Sequence, residues 1–255
     1  MFGGGLKQKK ILYIDCTNGI SGDMFLGALI DAEVGIERFE SIINKLRLED
    51  YTLQFKHLIK NNIKGLDVSV NLGECKNKRY IRDILKLIEQ SEMSRNVKKL
   101  SKKIFMEVAE AEALAHNIQI SEVSFHEAGA VDSIVDIVGA AICIDIIAPD
   151  IIISSNICDG HGFIKCRCGM IPVPVPAVRA MLKDSQIPFT ILEEVTTEMV
   201  TPTGMGIVKT IANEFNSMPT MEVISTGYGF GKRFTGKTSH LKVVIGKEIY
   251  YESKE

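Results

Sequence analysis

The sequence predicts an α/β protein in which helices pack on a mixed sheet, with a helical excursion around residues 80–120. Short apolar runs of the strand type occur near both ends of the chain, at 11–16 and 241–245. Between residues 80 and 116, apolar residues recur instead at helical spacing, with Lys and Glu on the opposite face. The stretch from Ser124 to Asp145 is apolar enough on all sides to form a buried helix.

Composition narrows the class of protein. The chain has 255 residues, 45% hydrophobic and 24% charged, which is ordinary for a globular protein with a real core. A net charge of -2 gives no electrostatic basis for a nucleic acid or an acidic membrane as partner. The start of the chain lacks the apolar core of a signal peptide, and no uninterrupted run of about 18 apolar residues is present. We therefore expect a cytoplasmic protein, and its six scattered cysteines favour reduced thiols.

The remaining elements follow from local patterns along the chain. Asn61-Asn62, between two alternating runs, predicts a hairpin, and three closely spaced prolines from Pro172 predict an extended entry to a helix near Pro176. His116 closes the helical stretch, where a cation suits the helix dipole. The predicted segments are strands at 11–16, 51–59, 63–72, 150–157 and 241–245, and helices at 21–31, 37–46, 80–90, 94–116 and from about 176.

Two loops before helices are candidates for anion binding. Asp15–Asp23 reads DCTNGISGD between a strand and a helix, with Ser21 as the expected N-cap. Its spacing matches neither a P-loop nor a dinucleotide fingerprint, so an ordinary turn held by Asp15 and Asp23 is the alternative. Thr196–Gly206 repeats the arrangement, with Thr201 as N-cap ahead of Pro202. Gly227–Gly231 (GYGFG) either lets a ligand approach the backbone closely or forms a β-turn.

Polar residues interrupt the apolar stretch at 124–145. Asp132 and Asp136 are four residues apart and share one helical face. Just before them, His126 and Glu127 lie in a Gly-containing segment, expected to be a turn that folds back over the helix start. One imidazole and three carboxylates at one helical turn would form a metal or catalytic site. The alternative is structural, with Asp132 as an N-cap, Asp136 bonded to backbone and His126 a satisfied core residue.

A second cluster of metal-binding residue types lies between residues 158 and 168. It contains Cys158, Asp159, His161, Cys166 and Cys168, which could hold a soft or borderline metal such as nickel or zinc. The spacing matches no standard zinc motif. Small residues and buried thiols in a tight hairpin are the alternative.

Taken together, these motifs resemble the LarC family, the nickel insertion proteins of nickel-pincer nucleotide cofactor synthesis. The matching segments run in family order over nearly all of the chain. They are DCTNGISGDMFLGALID at 15–31, AEALAH at 111–116, FHEAGAVDSIVDIVGAA at 125–141, IPVPVPAV at 171–178, TPTG at 201–204 and GYGFG at 227–231.

The resemblance implies insertion of nickel into pyridinium-3,5-bisthiocarboxylic acid mononucleotide, with formation of one Ni–C bond and of Ni–S bonds. In the family the reaction depends on CTP, for which Mg or Mn is expected as the counter-ion. We expect the chain to be the N-terminal nickel-insertion region over 1–255, with subdomains at 1–120 and 121–255. The family's C-terminal CTP-binding domain is expected to be absent, so that a separate C-terminal chain would complete turnover.

Site residues follow from the resemblance, residue by residue. Asp136 and Glu127 are equal candidates for the acid that removes the ring proton as the carbon–nickel bond forms. Where the family has a second imidazole, this chain has Cys168, and a thiolate also binds nickel. The expected metal ligands are His126, Glu127, Asp132, Asp136, His161, Cys166 and Cys168, and the expected contacts to the substrate phosphate or ribose are Asp15, Ser21, Gly22, Asp23, Thr201 and Thr203.

Two other classes of function stay open at this point. A non-catalytic nickel carrier would bind metal and have no nucleotide site. A metal-dependent hydrolase would use the same carboxylates and histidine to activate water. As partners we expect the mononucleotide substrate and a second copy of the chain in a homo-oligomer, with no nucleic acid and no membrane.

Overall fold

A seven-stranded mixed sheet carries the helices of this protein. The structure is a computed structural model that describes residues 8–49, 51–72, 79–125, 127–166, 169–233 and 239–249. Its strands are β1 (Lys10–Asp15), β2 (Tyr51–Lys60), β3 (Ile63–Leu72), β4 (Arg79–Tyr80), β5 (Ser124–Phe125), β6 (Ile151–Ser154), β7 (Ile157–Asp159), β8 (Gly162–Cys166), β9 (Gly169–Val173), β10 (Phe189–Ile191), β11 (Glu214–Phe215), β12 (Met221–Phe230) and β13 (His240–Glu248).

Seven α-helices are found within the described residues. They are α1 (Gly22–Leu29), α2 (Ile36–Ile43), α3 (Ile81–Gln90), α4 (Arg95–His116), α5 (Glu127–Ile147), α6 (Pro176–Leu182) and α7 (Pro202–Ile211). A π-helical turn, Ile30–Val34, extends α1, and 3₁₀ turns occupy Asn44–Leu46 and Ile120–Glu122. The predicted helical excursion is confirmed by α3 and α4.

The main sheet has the strand order β11-β6-β1-β13-β12-β3-β2. Strand β1 pairs parallel with β6 and antiparallel with β13, and β12 pairs parallel with β3, so the sheet is mixed as predicted. The predicted hairpin is confirmed by the β2–β3 register, and both Asn61 and Asn62 have positive φ at its tip. The sheet takes strands from both sides of residue 120.

Helix α5 lies at the centre of the helical layer, against α1, α2, α4 and α7. Its residues Ile134, Val135, Ile137 and Val138 are all fully buried, which confirms the expectation of a buried helix. The helix already begins at Glu127, so the expected turn around Glu127 is helical instead. For the same reason Asp132, five positions into the helix, is not its N-cap.

Helix α1 packs directly on β12, and the glycines of that strand make this possible. A Cβ on Gly227 would lie 2.2 Å from the Ala28 carbonyl oxygen, and one on Gly229 would lie 1.9 Å from that of Met24. The GYGFG motif therefore lies mostly in a strand that admits a helix backbone, rather than in a turn or a ligand loop.

The predicted strand at 150–157 is interrupted after Ser154, beside a side-chain hydrogen bond to the loop that follows β1. Strand β6 ends at Ser154, and the Ser155 hydroxyl oxygen accepts a hydrogen bond from the Cys16 N–H (2.8 Å). The chain then leaves the main sheet, and β7 pairs with β10 instead. This turn brings the 157–161 segment beside the loop that follows β1, where the candidate site lies.

Candidate functional site

The two loops predicted to bind anions lie side by side in the structure. Ile20, before α1, bridges to Val200, before α7, as a short parallel pairing. The Ile20 N–H donates to the Met199 carbonyl (3.0 Å), and the Thr201 N–H donates to the Ile20 carbonyl (3.0 Å). Gly19 has φ +80, and a Cβ there would lie 2.2 Å from the Met199 carbonyl oxygen, so a larger residue would separate the loops.

The first of these loops presents Ser21 and Asp23 at the start of α1. Ser21 occupies the predicted N-cap position, but its side chain makes no capping hydrogen bond to the helix. Its hydroxyl donates instead to Oδ1 of Asp23. The other carboxylate oxygen, Oδ2, lies 3.4 Å from Nζ of Lys232, at the end of β12. The helix start is thus linked to the segment that follows GYGFG.

The second loop presents Thr201 at the start of α7. Its hydroxyl oxygen accepts a hydrogen bond from the Gly204 N–H (3.1 Å), so the predicted N-cap is confirmed. Thr203 is half-buried in the first turn of the same helix. A Cβ on Gly204 would lie 2.4 Å from the Ile20 carbonyl oxygen, which places the start of α7 against the first loop.

Two carboxylates of α5 complete the acidic side of the site. Asp136 lies against Gly22, where an added Cβ would be 2.3 Å from its Oδ2 atom. Burial raises the pKa of Asp136 well above its ordinary value, and the negative charges of Asp23 and Asp132 raise it further. Burial also raises the pKa of Asp132, whose Oδ1 atom is buried without a hydrogen-bond partner among the described residues. Both acids therefore hold a proton more readily than an ordinary aspartate does.

The ammonium group of Lys232 is the cation nearest to these acids in the described part of the chain. Burial acts to lower the pKa of Lys232, but the charges of Asp23, Asp136 and Asp132 outweigh it, and the pKa is raised. One lysine, supplemented by Arg233 at Asp23 alone, thus partly compensates three carboxyl groups. Such an arrangement favours a further cation beside Asp132 and Asp136.

Asp159, at the end of β7, holds the second loop in place through hydrogen bonds to its backbone. It is fully buried, and its Oδ1 atom accepts hydrogen bonds from the N–H groups of Met199 (2.7 Å), Val200 (3.2 Å) and Gly160 (2.8 Å). Burial raises the pKa of Asp159, and these hydrogen bonds together with the charge of Arg233 oppose that rise. The Asp159 carboxylate therefore positions the backbone just before Thr201.

An ion pair between Glu198 and Arg233 closes the other side of the site. Glu198 is 3% exposed, whereas the Arg233 side chain is about half exposed. Between this pair and the start of α1 lies a cavity of about 160 Å³. The cavity is lined by Ser21, Asp23, Met24, Glu198, Met199, Thr201, Gly231, Lys232, Arg233 and Ser239.

The model of one protein family, described as nickel insertion protein, matches residues 12–255 of this sequence. The chain belongs to the nickel insertion protein family. This confirms the resemblance deduced from the sequence motifs. The family model begins within β1 and covers every later element of the fold, including both loops and the carboxylates of α5.

Three similar proteins carry the name pyridinium-3,5-bisthiocarboxylic acid mononucleotide nickel insertion protein. That of Acetivibrio thermocellus is 48% identical over 246 residues, which cover 93% of this chain and 60% of the relative. That of Lactiplantibacillus plantarum is 42% identical, with 92% and 61% covered, and that of Geobacillus kaustophilus is 41% identical, with 94% and 60% covered. The chain therefore spans about three fifths of the length of these nickel insertion proteins.

No solved structure matches this chain in the comparison with known folds. None of the helices in the described residues is long and apolar enough to cross a membrane. Within the same residues, no three His, Cys, Asp or Glu side chains lie close enough together to bind a metal ion as they stand.

Of the residues expected to contact phosphate or ribose, Ser21, Asp23 and Thr201 line the cavity. Gly22 supports it indirectly, because its missing Cβ makes room for Asp136. Asp15 faces its own loop, where its Oδ1 atom accepts hydrogen bonds from the hydroxyl (2.6 Å) and N–H (3.2 Å) of Thr17. Asp15 therefore fits the alternative of a turn-holding carboxylate better than substrate binding.

The expected metal ligands divide into two groups. Asp132 and Asp136 lie together beside Asp23, as described above. His161 lies apart from them, against the 193–195 segment. Its ring Nε2 atom is 3.0 Å from the Glu193 carbonyl oxygen, and its backbone N–H donates to the Val195 carbonyl oxygen. His126, Cys168 and the side chain of Glu127 lie outside the described residues.

Cys166 is disulfide-bonded in the structure. It could therefore coordinate a metal only after reduction, and the expectation of reduced thiols is wrong for this residue. That expectation is confirmed for Cys16, Cys143 and Cys158, which are free and buried. The hairpin itself is confirmed, since β8 pairs antiparallel with β9.

Sequence reasoning missed Glu198, Lys232, Arg233 and Asp159 as residues of the site. The adjacent Lys232 and Arg233 directly follow the GYGFG motif, and this pair of cations was a usable signal. Glu198 lies within the Thr-rich segment already singled out. Asp159 was noticed only as part of the cysteine cluster, although its structural task is to accept backbone hydrogen bonds from the second loop.

Proposed function

We propose that this chain binds nickel and pyridinium-3,5-bisthiocarboxylic acid mononucleotide together and is the nickel-insertion region of a CTP-dependent insertase. The observation that carries the proposal is the group of three acids, Asp23, Asp132 and Asp136, partly compensated by Lys232 beside the cavity. Excess acid next to a cavity suits a divalent cation delivered as a substrate. Names of relatives at 41–48% identity supply the chemical identity of both substrates.

In this proposal Asp132 and Asp136 hold the incoming Ni²⁺, and Lys232 moves away from them. Carboxylates must be ionised to bind a metal, so nickel binding releases the protons that the raised pKa values favour in the metal-free site. Because the acids do not yet converge, the side chains must move together around the ion. His126 and Glu127 remain candidates for further ligands, from the segment that leads into α5.

Formation of the Ni–C bond requires loss of one proton from the pyridinium ring. The electron pair of the C–H bond becomes the Ni–C bond, and the proton passes to a carboxylate base. Asp136 is suited to this once it has released the nickel to the thiocarboxylates of the substrate, because an aspartate whose pKa is raised by burial is a better proton acceptor than an ordinary one. Glu127 is the equal candidate. The two thiocarboxylates of the substrate supply the Ni–S bonds.

The test measures binding before turnover. Calorimetry should show that the purified chain binds Ni²⁺ and the mononucleotide and that each tightens the binding of the other. Asp132→Asn with Asp136→Asn should abolish most of the nickel affinity. Asp145→Asn is the matched control on α5, because Asp145 accepts hydrogen bonds from Ser94 and Asn96 outside the site.

Turnover is then tested with CTP and Mg²⁺ or Mn²⁺, with and without the C-terminal portion of the Acetivibrio relative. Mass spectrometry detects the nickelated product. Nickel binding without any mononucleotide binding would replace the proposal by a nickel carrier. Metal-dependent cleavage of a simple phosphoester, with no nickelated product, would replace it by a hydrolase.

A further inference from the structure

A second cavity, of about 220 Å³, lies behind the first one. Glu198 and Arg233 line both cavities, so their ion pair forms the wall between them. The second cavity is mostly apolar, and its lining includes Ile164, Ile171 and Val175. Its far end is polar, where Glu112 and His116 of α4 lie 3.5 Å apart.

The size of these cavities matters for a mononucleotide. Pockets that enclose small organic ligands usually measure about 300–1,000 Å³. Neither cavity reaches that range alone, whereas the two together do. A ligand made of a ring, a ribose and a phosphate would occupy both cavities once the Glu198–Arg233 pair separates.

The charges around the Glu198–Arg233 ion pair show which part of the ligand could separate it. Arg233 and Lys232 are the cationic residues that line the first cavity, and the hydroxyls of Ser21 and Thr201 line it too. A guanidinium binds phosphate with two parallel hydrogen bonds, and a phosphate carries more negative charge than the Glu198 carboxylate. Arg233 is also half exposed, so its side chain has space to reorient.

We propose that Arg233 binds the phosphate of the substrate mononucleotide and that Glu198 is its partner only in the empty site. Phosphate binding exchanges one ion pair for another and joins the two cavities. This inference rests on the proposed function, since it takes the mononucleotide as the ligand.

The exchange leaves Glu198 without its cation in a place that is 3% exposed. An unpaired buried carboxylate is costly, so the exchange weakens phosphate binding below what Arg233 alone could provide. Glu198→Gln removes that cost and frees Arg233 beforehand. The two residues of the pair should therefore have opposite effects on affinity: loss of Arg233 weakens binding, and neutralisation of Glu198 strengthens it.

The experiment compares two probes by calorimetry. They are pyridinium-3,5-bisthiocarboxylic acid mononucleotide and the nucleoside obtained from it with a phosphatase, which differ only in the phosphate. The unmodified chain should bind the mononucleotide about ten- to a hundredfold more tightly than the nucleoside. Arg233→Met should lose most of that preference with unchanged nucleoside affinity, and Glu198→Gln should keep or increase it. Arg233→Lys should lie between, because a lysine keeps the charge and loses the paired hydrogen bonds.

Arg82→Met is the matched control, because Arg82 is exposed on α3, where it pairs with the neighbouring Asp83. Thermal melts identify any variant that does not fold. A phosphate preference that survives in Arg233→Met, or an affinity loss in Glu198→Gln equal to that in Arg233→Met, overturns the assignment while the proposed function stands. Failure of the unmodified chain to bind either probe overturns the proposed function and the assignment together.

Discussion

Asp136→Asn separates a metal-binding acid from a structural one, because the two roles predict opposite changes in stability. No hydrogen bond reaches the Asp136 carboxyl from the described residues. Burial and the charges of Asp23 and Asp132 disfavour its ionised form, and the charge of Lys232 opposes them only in part. Replacing a poorly compensated buried charge by a neutral group of the same shape is neutral or stabilising by about 1–4 kcal/mol. A chain of this size gains about 2–4 °C in melting temperature for each kcal/mol. The metal-free variant should therefore melt at or above the unmodified chain at neutral pH.

The pH dependence of the melting temperature gives an independent test of whether Asp136→Asn stabilises or destabilises the metal-free chain. The pKa of Asp136 is raised in the folded state, so its contribution to stability is fully present below the unfolded pKa of about 4 and is lost as pH rises through the folded value. The advantage of Asp136→Asn should thus vanish near pH 4 and grow toward neutral pH. The raised pKa of Lys232 places its own titration above this window.

Thermal melts and nickel titrations of both proteins measure the two effects. Nickel affinity should fall by at least about tenfold, since even the loss of a group that supports a metal ligand costs about 10–100-fold. Asp145→Asn should leave nickel affinity unchanged. A melting temperature of metal-free Asp136→Asn clearly below that of the unmodified chain, together with unchanged nickel affinity, would refute the reasoning and make Asp136 a structural hydrogen-bond acceptor.

Three further changes test other parts of the site. Lys232→Met removes the cation beside three acids, so the metal-free variant should melt at a lower temperature than the unmodified chain. Adding NiCl₂ should raise the melting temperature of the variant more than that of the unmodified chain. An equal rise in both proteins would contradict the role of Lys232 as the cation that compensates these acids. Gly229→Ala puts a Cβ 1.9 Å from a backbone oxygen of α1 and should cost at least the upper part of the about 1–3 kcal/mol typical of overpacking, measured by urea unfolding; a near-neutral result would show that α1 can move. Thr201→Val removes the cap of α7 and should cost about 1 kcal/mol in the same assay, whereas no loss would mean that the cap is dispensable.

Several elements could be predicted because their cause is local. The apolar residues at 134–143 point to all sides of a helix and so require burial all round, and all of them are buried in α5. Asn61-Asn62 supplies the positive φ angles that a tight hairpin needs, and Thr201-Pro202 supplies a cap and a first helical residue. The spacing of Asp132 and Asp136 placed both carboxylates on one helical face, and the charge of Asp132 helps to raise the pKa of Asp136 in the structure.

The strand at 150–157 shows where a local pattern failed. Its apolar run predicted one continuous strand, but the Ser155 side chain hydrogen-bonds Cys16 and the chain changes sheets. That bond joins segments far apart in sequence, so no window around Ser155 contains it. The same holds for Gly227 and Gly229, whose small size serves the approach of α1 rather than a turn.

The sequence by itself thus determined the fold class, the family, most elements and three of the cavity residues, Ser21, Asp23 and Thr201. Only the tertiary structure placed Lys232 between the acids of α1 and α5, and paired Arg233 with Glu198. The physical reason is that a charge acts over a few ångströms of space and not along the chain. Residues of the same types on α3, such as Arg82 and Asp83, are exposed to solvent. The packing of α1, α5 and the end of β12 decides which charged residues share the site.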